Sequence, residues 1–178
     1  MLEKRPPLGH GAVENSEGKE KEMAKEIIKG GDKLWNLTYD KVEKDHPEFR
    51  GKAAVYSYAT RIRNPKTISF ISGAIPVDQD GFLVGKNNMF EQLRQTLENL
   101  KIQVELAGAT LDDVMKITIY TTDVAEFLKF RNWYCEKYPE LFGKAPGDQT
   151  ATAVTLIGVT RLANPDAMVE IEAYVATN

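Results

Sequence analysis

Apolar residues recur along this chain in two distinct periods. Met89, Phe90, Leu93, Leu97, Leu100, Val104 and Ala107 return every three or four positions, which is the spacing of one helix face. They predict a helix that opens on an Asn88-x-x-Glu91 cap and stops before Gly108. The opposite face carries Arg94, Glu98, Lys101 and Glu105, the pattern of a solvated surface. Val114–Thr121 alternates instead, with Met115, Ile117 and Ile119 on one side and Lys116, Thr118 and Tyr120 on the other. That is a strand half-buried against a helix. Asp123 then caps a second helix, whose Phe127, Phe130, Tyr134 and Tyr138 form a core-facing stripe ending at Pro139.

Strands are predicted over residues 54–63 and 66–72, joined by a hairpin turn at Asn64-Pro65 because Pro lacks a ladder donor. Residues 73–85, with Asp78-Gln-Asp-Gly81, read as a surface loop. Two further strands cover 152–159 and 168–175. The order is therefore β-β-α-β-α-β-β, a single α/β domain over residues 53–178. Two helices cover one face of such a sheet, and the other face still presents apolar residues that need cover. Self-association supplies it, so a homo-oligomer is expected, with a small-molecule ligand held at the subunit interface.

Residues 1–52 form an N-terminal extension. To about residue 22 it is rich in Glu, Lys, Pro and Gly and reads as a mobile tail. A short helix is predicted over 17–29, with Met23, Ile27 and Ile28 on one side and Gly30-Gly31 at its end.

Composition narrows the chemistry. The net charge of −3 gives no basic stripe for phosphate contacts and argues against nucleic-acid binding. No apolar run approaches membrane-spanning length, and with no signal-like apolar core a cytoplasmic location is expected. Cys135 is the single cysteine. An intrachain disulfide, a Cys-x-x-Cys redox pair and a structural zinc cluster are thus excluded, and the thiol reads as a small buried hydrophobe. His10 and His46 are the only histidines, which leaves no metal site of histidine type. The scattered glycines make no phosphate cradle, so neither a cofactor nor a metal is implied.

Several short motifs stand out in order: Tyr56-Ser-Tyr-Ala59, Ser72-Gly-Ala-Ile-Pro76, Gln92 with Leu97-Glu-Asn-Leu100, residues 107–114, Tyr134, and Val169-Glu-Ile-Glu-Ala173. Together they resemble the YjgF/Rid superfamily, also called the L-PSP endoribonuclease-like group, over roughly the last two-thirds of the chain. The resemblance implies a chorismate-mutase-like α/β (α+β) fold assembled as a homotrimer with pockets between subunits. It also implies cofactor-independent hydrolysis of enamines and imines to ketoacids and ammonia. In that chemistry an arginine in a Pro-Ala-Arg-Ser/Thr pattern holds the substrate carboxylate and a glutamate on the last strand orients water.

By the resemblance, Tyr56 and Glu170 are the catalytic candidates. Counting back from Val159 and Leu162 puts Val154 at the arginine position and Thr155 at the following Ser/Thr. Anchoring on Pro146 puts Asp148 there instead, and residues 143–160 contain no arginine either way. Losing one partner of a buried charge pair costs about 3–5 kcal/mol, so altered specificity is expected unless another cation serves. Arg131 is the candidate replacement, with Asn132 at the same position if the register moves by one, and Arg61 and Arg63 are further cations. Glu170 and Glu172 share a strand face with Met168 and Tyr174, so both can point into one space between subunits.

Three functions follow: a Rid-like hydrolase or deaminase using Glu170 and water, a metabolite-binding protein that has lost catalysis, and an endoribonuclease or translation inhibitor. The last is the weakest, because no histidine lies in the main domain to act as a general base.

Overall fold

The computed structural model describes residues 25–28, 56–144 and 150–178. The elements in chain order are β1 (Glu26–Ile28), β2 (Ala59–Arg61), β3 (Thr67–Ala74), α1 (Met89–Leu106), β4 (Val114–Thr121), α2 (Val124–Leu128), α3 (Arg131–Lys137), α4 (Pro139–Phe142), β5 (Ala153–Gly158) and β6 (Val169–Thr177). A single 3-10 turn, Leu111–Asp113, leads into β4. The main sheet has strand order β3-β6-β4-β5. Because β3 and β4 are each antiparallel to β6, they run parallel to one another with β6 inserted between them. β4 and β5 are parallel, so the helical connections α1 and α2–α4 each link parallel strands, as such crossovers must.

α1 begins where expected: the Asn88 side chain accepts the Glu91 N–H at 3.2 Å. Gly108, at φ 77°, follows its last turn, a left-handed position that favours glycine. Its apolar face packs on β3 and β6, and Leu93, Leu97, Leu100 and Val104 join Ile117, Ile119, Val169 and Ile171 in the core. Gln92 is fully buried in this layer yet satisfied at both ends. It donates to the Gly85 and Asp166 carbonyls and accepts from Met168 N–H at 2.6 Å, which ties the loop before α1 to the start of β6. Asn99 likewise donates to the Ile75 and Val77 carbonyls, both at 2.8 Å.

Three expectations change. The second helix is broken into α2, α3 and α4: Asp123 caps α2 as expected, but Lys129 N–H turns back to Glu126 and Phe130 N–H to Phe127. These tight three-residue turns end the first segment. Pro139 starts α4 rather than only stopping α3, because the first turn needs no proline N–H. The hairpin at Asn64-Pro65 is absent as a paired unit. β2 pairs with β1, and β3 pairs with β6. Finally, Glu26–Ile28, inside the predicted helix 17–29, is a strand antiparallel to β2. A helix of that length is marginal alone, whereas β2 offers an unpaired edge. The remainder of that prediction and the tail reading lie outside the described residues.

Cys135 is buried on α3, its Sγ 3.7 Å from the Phe142 carbonyl oxygen, as its reading as a small hydrophobe required.

Candidate functional site

Among the described residues, the helices lie on one face of the main sheet and leave the other uncovered. Strand alternation turns Glu170, Glu172 and Tyr174 of β6 to that side. The register sets them beside Tyr120, Thr118 and Lys116 of β4, with Thr155 and Ile157 of β5 one strand further on. Phe70 of β3 lies edge-on against Tyr174, ring centres 5.5 Å apart. Phe70 is 76% exposed and Ile68 59%, which is unusual for large apolar groups lying together on one sheet.

Two β-bulges shape this face. Between Ile71 and Ala74 the pair Ser72-Gly73 opposes Glu172 alone, and Glu170 settles into the space this creates. A Cβ built on Gly73 would lie 2.0 Å from Glu170 Oε1, so the carboxylate occupies the volume that any other residue would fill. Glu172 accepts a hydrogen bond from the Tyr120 hydroxyl at 3.3 Å. Burial, and then the Glu172 charge, raise the Tyr120 phenol above its ordinary pKa.

The second bulge lies between Val114 and Lys116, where β4 carries one extra residue against Val175-Tyr174 of β6. The Met115 carbonyl is taken instead by the hydroxyls of Thr60 and Thr152. Past the bulge, Lys116 reaches across to β5 and donates to Thr155 Oγ1 at 2.6 Å and to its neighbour's carbonyl, Ile117 O, at 3.1 Å. Burial lowers the Lys116 pKa and the Glu172 charge opposes that shift.

Tyr56 is placed beside β5 by the Ser57 N–H, which donates to the Thr152 carbonyl at 3.1 Å, and by the Ser57–Ala153 bridge. Tyr56, Val154 and Thr155 thereby meet, and they are shared by two adjoining cavities. One, of about 500 Å³, is completed by Lys116, Met115 and Tyr174 among others. The other, of about 260 Å³, is walled by Phe127, Leu128, Tyr134, Phe142, Ile119 and Leu156. A separate groove of about 500 Å³ lies between α1 and α3. Its charges are engaged locally, Arg94 with Glu91 and Tyr138 with Glu98, and it contains none of the residues singled out for chemistry.

The sequence-derived site residues therefore fall into two groups. Tyr56, Val154 and Thr155 converge. Glu170 and Glu172 lie on the same sheet face but beside the Gly73 bulge, with β4 between them and Thr155. Arg131 is only 4% exposed at the start of α3, and Asn132 is exposed beside it; neither lines the two joined cavities. Arg61 and Arg63 both pair with Glu26 of β1. The cation missed by sequence reasoning is Lys116. Its place on the polar side of β4 was visible, but the bulge that swings it toward Thr155 leaves no signature in the alternation. No grouping of three His, Cys, Asp or Glu suited to a metal occurs among the described residues, and none of their helices is long and apolar enough to cross a membrane.

Comparison with known proteins gives consistent results. The family model described as Endoribonuclease L-PSP matches residues 50–177. A RutC family protein of Pyrococcus horikoshii is 37% identical over 118 residues, covering 66% of this chain and 83% of the relative. Protein HMF1 of Saccharomyces cerevisiae is 33% identical over 86 residues, 48% of this chain and 64% of its own. Among solved structures, yeast YEO7 superposes with a TM-score of 0.52 at 28% identity, covering 71% of this chain and 90% of that one. A member of the conserved Rid protein family from Yersinia pestis, YyfB, gives a TM-score of 0.61 at 24% identity over 86% of this chain and 99% of its own, a likeness of fold.

Proposed function

Since this chain belongs to the endoribonuclease L-PSP family of the YjgF/Rid superfamily, we propose that it is a cofactor-independent hydrolase of reactive imines or enamines with altered specificity. Water adds to the carbon of the C=N bond as Glu170 takes a proton from it. Glu170 returns that proton to the nitrogen to give the neutral carbinolamine, and then carries the hydroxyl proton to the same nitrogen as the C–N bond breaks, so that C=O forms and ammonia leaves a ketoacid. Proton transfer by a positioned carboxylate contributes about 10²–10⁴-fold in such steps.

The observation that carries this reading is the seating of Glu170 in the Gly73 bulge, where Oε1 fills the space of a missing Cβ. A carboxylate held by shape rather than by a counter-charge keeps its lone pairs for water. Tyr56, Val154 and Thr155 supply the substrate wall. Glu170 lies toward the uncovered sheet face and the Tyr56–Val154–Thr155 wall lies at the edge strand β5, and a homo-oligomer, a trimer in this reading, brings the Glu170 end of one copy against the cavity of the next. The ligand then sits at the subunit interface.

The test is to generate imines from several amino acids with an oxidase, compete with semicarbazide, and follow ketoacid release. The protein accelerates release, and Glu170→Gln lowers kcat by about 10²-fold or more with the fold intact. Acceleration that survives Glu170→Gln refutes the assignment.

A second reading, a metabolite-binding protein without turnover, is favoured by one residue. Val154 stands where the resemblance implies an arginine, and it packs partly against the core. Absence of acceleration with every imine, together with ligand binding, would select it.

A further inference from the structure

We propose that Lys116 is the cation that holds the carboxylate of this protein's ligand, and that the adjoining apolar cavity selects ligands with a bulky apolar substituent. The inference rests on the reading above that the Tyr56–Val154–Thr155 region is the ligand site. Among the described residues, Lys116 is the single cationic side chain lining either of the two joined cavities. Its ammonium has three donors. Two are directed at Thr155 Oγ1 and Ile117 O, 2.6 and 3.1 Å away, which fixes the head group and leaves the third for an acceptor in the cavity. The other cations considered are engaged or elsewhere: Glu26 holds Arg61 and Arg63, and Arg131 lines neither cavity.

The bulge at Met115 is what makes the reach to Thr155 available, and bulges are commonly used to re-aim a side chain beside a site. Glu172 acts on Lys116 at longer range, and a ligand carboxylate placed beside Thr155 takes over that pairing. From Thr155, the shared wall at Tyr56 and Val154 leads into the smaller cavity, whose 260 Å³ is enclosed largely by aromatic and aliphatic side chains. A water occupies about 30 Å³, so a branched or aromatic group of amino-acid size fits, and a carboxymethyl or hydroxymethyl group leaves an unfavourable polar end there. The ligand class is thus a 2-oxo or 2-imino acid with an isobutyl-to-benzyl side chain.

The probes are the stable ketoacids 4-methyl-2-oxopentanoate and phenylpyruvate, with pyruvate and oxaloacetate as small and polar comparisons, titrated calorimetrically into the full-length protein. The first two bind at least about tenfold tighter than the last two, in line with the discrimination a hydrophobic pocket provides. Lys116→Met, which keeps the stem and removes the charge, weakens them by about tenfold or more, and Lys116→Arg restores most of the affinity. Equal binding by Lys116→Met, or no preference for the apolar ketoacids, overturns the proposal. A control on the ligand side does not depend on how the variant folds: the methyl ester of 4-methyl-2-oxopentanoate has the same shape without the charge, and equal affinity of acid and ester for the unaltered protein also overturns it. Imine turnover is measured separately. Ketoacid binding that depends on Lys116 without any turnover rejects the hydrolase reading and leaves this one standing.

Discussion

At the scale of single residues, the proposed hydrolysis depends on the seating of Glu170 against Gly73. Gly73→Ala puts a methyl group where Glu170 Oε1 lies, so the carboxylate must rotate away while the strand itself tolerates alanine. The expected result is a loss of about 10²-fold in kcat/KM, the size of a small misplacement of a reacting group, with a melting temperature close to that of the parent. A large fall in melting temperature instead would mean that the position serves folding. The candidates Tyr56, Val154 and Thr155 were legible from motif order, and the structure brings them together. Arg131 shares the helical spacing of Phe127, Tyr134 and Tyr138, and all four are buried; its charge, which ordinarily keeps an arginine in solvent, is what hid this in the sequence. Lys116 was overlooked for a different reason: periodicity assigns a face, but a bulge changes where on that face a long side chain ends.

Among elements, α1 is the best determined. Its cap, its apolar stripe and its glycine stop were all legible, and each acts where expected. Gln92 shows what periodicity cannot reveal, since a polar residue on the apolar face holds three backbone groups from two loops. Gln92→Leu leaves those groups buried without partners, and the expected cost is about 3 kcal/mol, read as a lower urea midpoint. At the other side of α1, the Tyr138 hydroxyl donates to Glu98 at 2.7 Å. Burial and this bond raise the phenol's pKa. A raised folded-state pKa stabilises the fold fully below the unfolded phenol's value of about 10 and progressively less above it. Tyr138→Phe is therefore expected to be less stable by about 1 kcal/mol at neutral pH, with the gap closing as pH rises past about 10. Denaturation at pH 7 and at alkaline pH measures this; a gap that widens would contradict it.

For the molecule as a whole, the sequence made the layer count legible, one sheet with helices on one side. It did not show that β6 is inserted between β3 and β4, because strand order depends on pairings far apart in the chain. The consequence of one-sided cover is the exposed set Ile68, Phe70, Ile157 and Tyr174. Phe70→Glu places a charge in the middle of this surface, and light scattering is expected to show an oligomer for the parent and a monomer for the variant; equal masses would place the contact elsewhere. The lone thiol of Cys135 offers a different kind of access to the same molecule. With its sulfur sealed between α3 and the end of α4, a thiol reagent can react only while those segments lift apart. Its rate is then a clock for opening of the very wall that Tyr134 and Phe142 contribute to the smaller cavity. A ligand that fills the cavity should slow that clock, so the protein carries its own occupancy gauge without any added label.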